Sequence, residues 1–330
     1  LYKTGGVIDL TGHIYRTTDT WVVGNDYIPD SASYKPNVTT LSPTIFKLEQ
    51  YLSSIKKKPI KIISTTGYGG IYGDFKDKAI IRYTLCGSTS AWPSAEQYTA
   101  EINNIGLYAQ GSFVNGVATL KDNYNDFKGK QTQTGILGLY NFGLQIRNCT
   151  FYGLKTGILL NNSYFSIIDN PFMRLCDVGI YHIQSHGSTI QKTMEYYCNV
   201  ANVIYSGQLT IANIHTEQCR TSMHIIGPYN TLTGAYFESI NTSGAAQLII
   251  GDDTGADVDG TTIQGIISGG DSAGVQKLGL LLKATARNVT ITGGAITGYQ
   301  RDNPSTNLML SGVLGTHPTW AWERGKDLTA

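Results

Sequence analysis

The chain has 330 residues and a net charge of +1, and 15% of its residues are charged, against about 25% in typical globular proteins. This balance excludes charge-driven binding to nucleic acid or to an anionic membrane. No apolar run approaches the roughly 18 residues of a membrane-spanning helix. The 38 Gly and 21 Tyr favour strands and tight turns over helices.

The N-terminal part of the chain differs from the rest. The alternating segment GGVIDLTGHIYR (5–16) predicts the start of a first coil of strands. The segment PTIFKLEQYLSSIKKK (43–58) has apolar residues at helical spacing and three Lys at its C-terminal end, so it predicts one short helix. We therefore predict an N-terminal cap with a helix over 1–60, and long loops over about 87–135.

A nine-residue pattern recurs every 21 or 22 residues in the middle of the chain. It reads IDNPFMRLC (168–176), IQKTMEYYC (190–198), IANIHTEQC (211–219) and LTGAYFESI (232–240). Its first position, which we call the first column, is Ile146, Ile168, Ile190, Ile211, Leu232, Ile263 and Ile291. Two positions later, the turn column holds Asn148, Asn170, Lys192, Asn213, Gly234, Gly265 and Gly293. Asn and Gly tolerate left-handed backbone, so this column predicts a repeated sharp turn.

A second apolar strand follows in each unit. These strands are GILL (157–160), GIYHI (179–183), NVIY (202–205), MHII (223–226), QLII (247–250), GLLL (279–282) and NLML (307–310). Short strands separated by tight bends, at about 22 residues per coil, are typical of a parallel β-helix. The helical half of a leucine-rich repeat is absent, and a propeller blade needs about 40 residues. The sequence therefore predicts an all-β, single-stranded parallel β-helix over 61–312 and a C-terminal tail over 313–330.

Positions four and six after the first column are expected on the outer face, because alternate residues of a strand point to opposite sides. Position four holds Thr150, Phe172, Met194, His215 and Tyr236, and position six holds Tyr152, Arg174, Tyr196, Glu217 and Glu238. We call these ten residues the outer stripe. Aromatic side chains stack on sugar rings, while Arg, His and Glu form hydrogen bonds with sugar substituents. The outer stripe thus predicts a carbohydrate-binding groove; the alternative is a surface covered by a neighbouring subunit.

Glu217 and Glu238 hold the same position in consecutive coils, so their backbones are expected about 4.8 Å apart. Like charges that close repel each other, and one carboxyl group is expected to keep its proton. A protonated acid beside an ionised base is what glycosidic-bond cleavage requires. We therefore predict Glu217 and Glu238 as the catalytic pair. The alternative is a structural ladder of acids neutralised by Arg174 or by a Lys from a loop.

The predicted substrate-binding residues are Arg174, His215, Tyr196, Tyr236 and Glu195. Arg174 is expected to hold an acidic sugar, and His215 to donate or relay a proton. Glu195 falls at an inward position, where a lone carboxylate is costly. It is either paired there, or the coil bulges and brings it into the site.

No metal site and no cofactor is predicted. Cys176, Cys198 and Cys219 form a line of buried thiols rather than a converging set of ligands. Five cysteines in a chain without a signal-peptide profile fit a reducing compartment. The Asp-rich segment 252–259 is typical of a solvated turn, with a calcium site as the alternative.

The opening GGVIDLTGHIYR and coils such as LQIRNCTFYGLKTGILLNNS (144–163) resemble the pectate-lyase-like superfamily of parallel β-helix proteins, and among these the bacteriophage tailspikes. The resemblance covers roughly 1–20 and 60–312 and is one of architecture. It implies a right-handed helix and a homotrimer that binds and depolymerises a bacterial surface polysaccharide. It also implies a place in the virion tail, after assembly in the host cytoplasm. Trp320 and Trp322, which a monomer would expose in the tail, support the trimer.

Three functions remain open at this point. The first is hydrolysis of a capsule or O-antigen polysaccharide through Glu217 and Glu238. The second is a polysaccharide lyase, in which Arg174 neutralises a uronate and His215 or Tyr236 abstracts its proton. The third is a non-catalytic adhesin or structural β-helix that uses the outer stripe only for binding.

Overall fold

The computed structural model describes residues 6–24, 60–67, 69–84, 100–109, 111–114, 117–120, 131–238, 246–269, 278–302 and 306–315. These residues form 30 β-strands and no helix, and thus no helix long and apolar enough to cross a membrane. The helix predicted at 43–58 lies outside the described residues, as do Trp320 and Trp322.

The strands are numbered in chain order and belong to two large sheets and one hairpin. The first sheet has 18 strands: β1 (Gly6–Asp9), β2 (Ile14–Thr17), β4 (Ile60–Ile63), β5 (Gly70–Gly73), β7 (Ala100–Asn103), β8 (Gly106–Tyr108), β12 (Gln145–Arg147), β13 (Thr150–Tyr152), β15 (Ile167–Asp169), β16 (Phe172–Arg174), β18 (Thr189–Gln191), β19 (Met194–Tyr196), β21 (Thr210–Glu217), β23 (Thr231–Glu238), β25 (Thr262–Gly269), β27 (Val289–Ile296), β29 (Leu308–Ser311) and β30 (Leu314–Gly315).

The second sheet has ten strands: β3 (Trp21–Gly24), β6 (Ala79–Thr84), β11 (Thr134–Phe142), β14 (Thr156–Tyr164), β17 (Val178–Ile183), β20 (Val200–Tyr205), β22 (Thr221–Ile225), β24 (Ala246–Ile250), β26 (Leu278–Leu282) and β28 (Tyr299–Arg301). The hairpin consists of β9 (Gly111–Val114) and β10 (Val117–Leu120). In both large sheets each strand pairs in parallel with the strand one coil away, as in β12 with β15 and β14 with β17. The chain is therefore a parallel β-helix, which confirms the predicted fold class.

The first column forms a continuous stack in the interior. Its members pair residue for residue from coil to coil: Ile8, Ile62, Ile102, Ile146, Ile168, Ile190, Ile211, Leu232, Ile263, Ile291 and Leu310. All but the terminal Ile8 are buried. Complete burial of such a side chain contributes about 1.5–3 kcal/mol, so a shift of register would expose most of the core.

Each coil bends through left-handed backbone at several corners, including the following three. In the turn column φ lies between 52° and 67° in all seven predicted positions, which confirms the predicted turn. A second corner lies three residues before the first column, at Gly143, Phe165, Gly187, Gln208, Tyr229, Gly260 and Asn288. A third lies seven residues after it, at Gly153, Leu175, Tyr197 and Gln218. Backbone hydrogen bonds continue through these corners, as from Leu175 N to Tyr196 O (3.1 Å), and offset the strain.

Two local predictions were wrong. Strands β7 to β10 lie within 87–135, where only long loops were predicted. Long excursions of chain separate the early coils, since Ile102 and Ile146 are 44 residues apart, and this hides the period. The segment NLML (307–310) belongs to the first sheet as β29, not to the second, because Leu310 takes the first-column position opposite Ile291.

Gly265 is a suitable position for measuring what left-handed backbone in the turn column costs a residue with a Cβ. Its φ is +65°, and a Cβ added there would meet no atom within 4 Å. We predict that Gly265→Ala lowers the free energy of unfolding by about 1 kcal/mol, because Ala is strained in left-handed backbone. Gly265→Asn should cost less, since Asn occupies this column in other coils. Urea unfolding midpoints test this, and equal midpoints for all three proteins would contradict it.

Candidate functional site

The outer stripe is assembled by strand register. Phe172 pairs with Met194, Met194 with His215, and His215 with Tyr236 along position four. Arg174 pairs with Tyr196, Tyr196 with Glu217, and Glu217 with Glu238 along position six. The residues between these two positions, such as Met173, Thr216 and Phe237, are completely buried. The predicted alternation of inner and outer positions is therefore confirmed.

Glu217 is the best-connected acid of the outer stripe. The hydroxyl of Tyr196 donates a hydrogen bond to Glu217 Oε1 (3.2 Å). His215 Nε2 lies 2.8 Å from the same oxygen. Tyr196 reaches Glu217 from the preceding coil, whereas His215 lies two residues earlier on the same strand, β21. Glu217 remains 30% exposed, so its carboxylate is both fixed and accessible.

Glu238 has a simpler environment. The hydroxyl of Tyr236 donates to Glu238 Oε2 at 3.3 Å. The next coil places Gly269 opposite Glu238, so position six offers no side chain from that direction. The two predicted catalytic acids are thus neighbours on adjacent strands, and the described residues offer more hydrogen-bond donors to Glu217 than to Glu238.

The aromatic rings of the outer stripe are arranged around the acids. Ring centroids are 5.6 Å apart for Phe172 and Tyr196, 6.3 Å for Tyr196 and His215, and 5.0 Å for His215 and Tyr236. Partial burial, together with the negative charge of Glu217, raises the pKa of Tyr196. Partial burial, together with the negative charge of Glu238, raises the pKa of Tyr236. Both phenols therefore keep their protons at neutral pH and act as donors to the carboxylates.

Arg174 lies farther from the acids than the other predicted binding residues. Tyr196 stands between Arg174 and Glu217 along position six. The guanidinium carbon of Arg174 lies 5.9 Å from the centre of the Tyr197 ring, at cation–π distance. Arg174 thus lies in the second of the five coils of the outer stripe, two coils away from Glu217.

Glu195 lies inside the coil and is not brought together with the other predicted residues. It is completely buried, and its Oε2 accepts a hydrogen bond from Asn202 Nδ2 of β20 (2.6 Å). Of the two alternatives left open by the sequence, it is the paired, inward carboxyl group. A ligand on the outer face cannot contact it, so we withdraw Glu195 from the substrate-binding set. Burial raises the pKa of the Glu195 carboxyl group well above its ordinary value, because burial disfavours the charged form.

A cleft of about 630 Å³ runs alongside position four. Asn104, two residues after Ile102, lines it at the equivalent of the turn column. The other lining residues are Asn148, Asn170, Lys192 and Asn213 of the turn column and Thr150, Phe172, Met194 and His215 of the outer stripe, with Cys149, Pro171 and Thr193 between them. Glu217 does not line the cleft, but His215, which contacts Glu217, does. The cleft therefore leads from the early coils towards the predicted catalytic pair.

The side chains of the turn column make this cleft polar. Asn170 Nδ2 donates to Asn148 Oδ1 (2.9 Å), and Asn148 Nδ2 donates to Asn103 Oδ1 (3.1 Å). Such a ladder presents amide donors and acceptors that suit sugar hydroxyl groups. The sequence predicted the turn at these positions but not the cleft. The signal was present, because Asn recurs at a position whose side chain must leave the coil.

Asp169, which precedes the cleft residue Asn170, lies between two positively charged side chains. Asp169 accepts hydrogen bonds from Arg147 Nη1 and Gln191 Nε2, each at 3.0 Å, and lies 3.6 Å from Lys192 Nζ. Lys192 keeps 58% of its side chain exposed. Two cations around one anion leave this edge of the cleft slightly positive.

The predicted line of thiols is present as buried free cysteines at Cys176, Cys198 and Cys219. In the described ranges no group of three or more His, Cys, Asp or Glu could hold a metal ion. In the Asp-rich segment, Asp253 pairs with Lys283 (2.9 Å) and Asp257 with Arg287 (3.1 Å). These ion pairs fit the solvated turn better than a calcium site.

No protein-family model matches the chain, and neither does any curated protein. Among solved structures the chain is similar to ORF18 of Geobacillus virus E2, at TM-score 0.48 and 10% identity over 94% of this chain and 52% of that one. It is similar to the catalytic domain of a GH87 alpha-1,3-glucanase in complex with nigerose, at TM-score 0.48 and 8% identity over 96% and 62% of the two chains. It is also similar to an endo-xylogalacturonan hydrolase from Aspergillus tubingensis, at TM-score 0.43 and 10% identity over 93% of this chain and 94% of that one.

The chain thus spans 52% and 62% of the first two of these proteins. Each likeness concerns the fold. The strand pairing described above independently assigns the chain to the parallel β-helix architecture, so the resemblance noted from the sequence is confirmed at that level.

The buried carboxyl group of Glu195 makes stability depend on pH. A raised pKa in the folded state means that the stability contributed by the bound proton is complete below about pH 4, the unfolded value, and is lost as the pH rises. Glu195→Gln keeps an acceptor for Asn202 and cannot ionise. We predict that the variant gains stability relative to the wild type between about pH 5 and pH 8, by up to about 1.4 kcal/mol per pH unit.

Urea unfolding of both proteins across this pH range tests the effect, because all other titrating groups are shared. A difference in stability that does not change with pH would contradict it.

Proposed function

We propose that this protein binds a bacterial surface polysaccharide, a capsule or an O-antigen, and cleaves it by hydrolysis at Glu217 and Glu238. One observation carries the proposal. Two carboxyl groups stand in register on the adjacent strands β21 and β23, on an exposed face rich in aromatic rings. Glycoside hydrolysis needs a pair of carboxyl groups flanking the scissile bond.

The proposed reaction uses one carboxyl group as an acid and the other as a base or nucleophile. The acid gives its proton to the glycosidic oxygen as the C–O bond breaks. The second carboxylate either attacks the anomeric carbon or takes a proton from the water that attacks it. Phe172, Met194 and Tyr236 offer apolar surface to the sugar rings, and the cleft offers amide groups to the hydroxyls.

The positions of Arg174 and His215 support hydrolysis over β-elimination. A lyase needs its base beside the cation that neutralises the uronate. In this protein Tyr196 separates Arg174 from the coil that carries His215 and Glu217. His215 Nε2 is directed at Glu217 instead.

The proposed assembly is a homotrimer in a virion tail, as the tailspike resemblance implies. Static light scattering of the purified chain should give three times the mass of one chain. A mass equal to one chain would refute the trimer without bearing on the chemistry of the outer stripe. Labelling of purified virions with an antibody against this chain should mark the tail.

The first test of the function is mass spectrometry of products after incubation with a panel of capsular and O-antigen polysaccharides. Hydrolysis predicts fragments that are heavier by one water for each cut. Fragments ending in an unsaturated uronate would instead indicate a lyase. Tight oligosaccharide binding without new reducing ends would indicate an adhesin.

The second test is substitution of the acids. We predict that Glu217→Gln and Glu238→Gln each lower the rate of cleavage by about 10²- to 10⁴-fold, because each removes a proton-transfer group. Glu101→Gln is the matched control, since Glu101 lies in the same sheet and pairs with Lys61 at 2.7 Å, away from the outer stripe. Full activity in both outer-stripe variants would refute the proposed pair.

A further inference from the structure

We propose that the two acids have fixed and different roles, set by two positioning residues. Tyr196 and His215 hold Glu217 as the carboxylate that acts as base or nucleophile, which leaves Glu238 as the proton donor. This assignment rests on the proposed function, and it goes beyond it by naming the role of each acid and the side chains that impose it.

The first argument is the convergence of donors on one oxygen of Glu217. The phenol of Tyr196 has a single proton and donates it to Oε1 at 3.2 Å. His215 Nε2 is 2.8 Å from the same atom. An oxygen that already accepts from a phenol is a poor site for a carboxyl proton. The consistent assignment is a carboxylate that accepts from both groups, with the His215 proton on Nε2. Donors to the charged form favour that form.

The second argument is that fewer hydrogen-bond donors among the described residues reach Glu238. Its one donor in the described part of the chain is the Tyr236 hydroxyl at 3.3 Å. Tyr236 is 38% exposed, so water competes for this hydrogen bond. The following strand, β25, places Ile267 opposite Tyr236 and Gly269 opposite Glu238. Neither offers a charge or a donor.

The third argument is the repulsion between the two carboxyl groups, which supports the same assignment. The groups facing the pair are Tyr196 from β19, His215 from β21 itself, and Tyr236 from β23. Two carboxylates on adjacent strands repel each other, so a proton retained by the pair resides on the acid with fewer donors. That acid is Glu238.

The reaction balances with these roles. As the glycosidic C–O bond breaks, its electron pair goes to the leaving oxygen, which takes the proton of Glu238. Glu217 Oε2, to which no described residue donates, bonds to the anomeric carbon or takes a proton from the water that does. In the first case, a water then cleaves the glycosyl ester and returns a proton to Glu238. In the second, exchange with solvent resets both acids.

Cleavage rates on two substrates test the assignment: the polysaccharide that the panel identifies, and an aryl glycoside of the oligosaccharide released from it. An aryl leaving group needs no proton from the enzyme, so Glu238→Gln should release it at close to the wild-type rate in the first turnover, whereas Glu217→Gln should be about 10²- to 10⁴-fold slow on both substrates. Tyr196→Phe should lower the rate about 3- to 10-fold on both substrates, because one donor to the Glu217 carboxylate is lost.

Tyr236→Phe is the matched control, because it removes the same group from beside Glu238, so its loss of rate should disappear on the aryl glycoside. His215→Gln gives an independent perturbation of Glu217 if Tyr196→Phe fails to fold. Recovery of Glu217→Gln but not of Glu238→Gln on the aryl glycoside would overturn the assignment, and so would full activity of both Tyr196→Phe and His215→Gln on the polysaccharide. Failure of the proposed function would show separately, as the absence of cleavage across the glycan panel.

Discussion

Eleven aliphatic side chains, from Ile8 to Leu310, stack on one another along the axis of this β-helix. Their in-register burial fixes which residue of each coil faces inward. Because a one-residue slip would turn every side chain to the opposite face, register is strongly specified. The register of this stack therefore also sets the position of each side chain on the outer face. Glu217 lies beside Glu238 because Ile211 lies beside Leu232.

At the corners of the coils, the backbone hydrogen bonds between coils outweigh the φ preference of the individual residues. Phe165, Leu175 and Tyr197 all adopt left-handed backbone, with φ between 52° and 56°. For residues with a Cβ this costs about 1–2 kcal/mol each. The cost is offset because parallel hydrogen bonds run unbroken from coil to coil. Phe165 also covers Gly187 of the next coil, whose added Cβ would meet its ring at 2.7 Å. At this corner the Phe165 ring therefore requires Gly in the next coil.

Much of the fold and part of the site could be predicted from the sequence. The period of 21 or 22 residues marked the first column and the turn column, because each is occupied by similar residues. Alternation along the strand then located the outer stripe. The first coil was predicted to start within 5–16, but the repeat could not be followed through the early coils, since 54 residues separate Ile8 from Ile62. The pairing of Glu195 with Asn202 was also hidden. It joins the two sheets across the interior and depends on how each coil closes. The donors that distinguish the two acids depend on side-chain conformation, which a repeat does not encode.

Strict alternation along the strands has an evolutionary consequence. Buried residues such as Thr216 and Phe237 carry the packing, while His215, Glu217 and Tyr236 on the same strands contribute no volume to the interior. A change at an outer position alters the chemistry of the surface and leaves the folding information intact. Ligand preference in such a protein can therefore drift one residue at a time, coil by coil, while the scaffold is inherited unchanged.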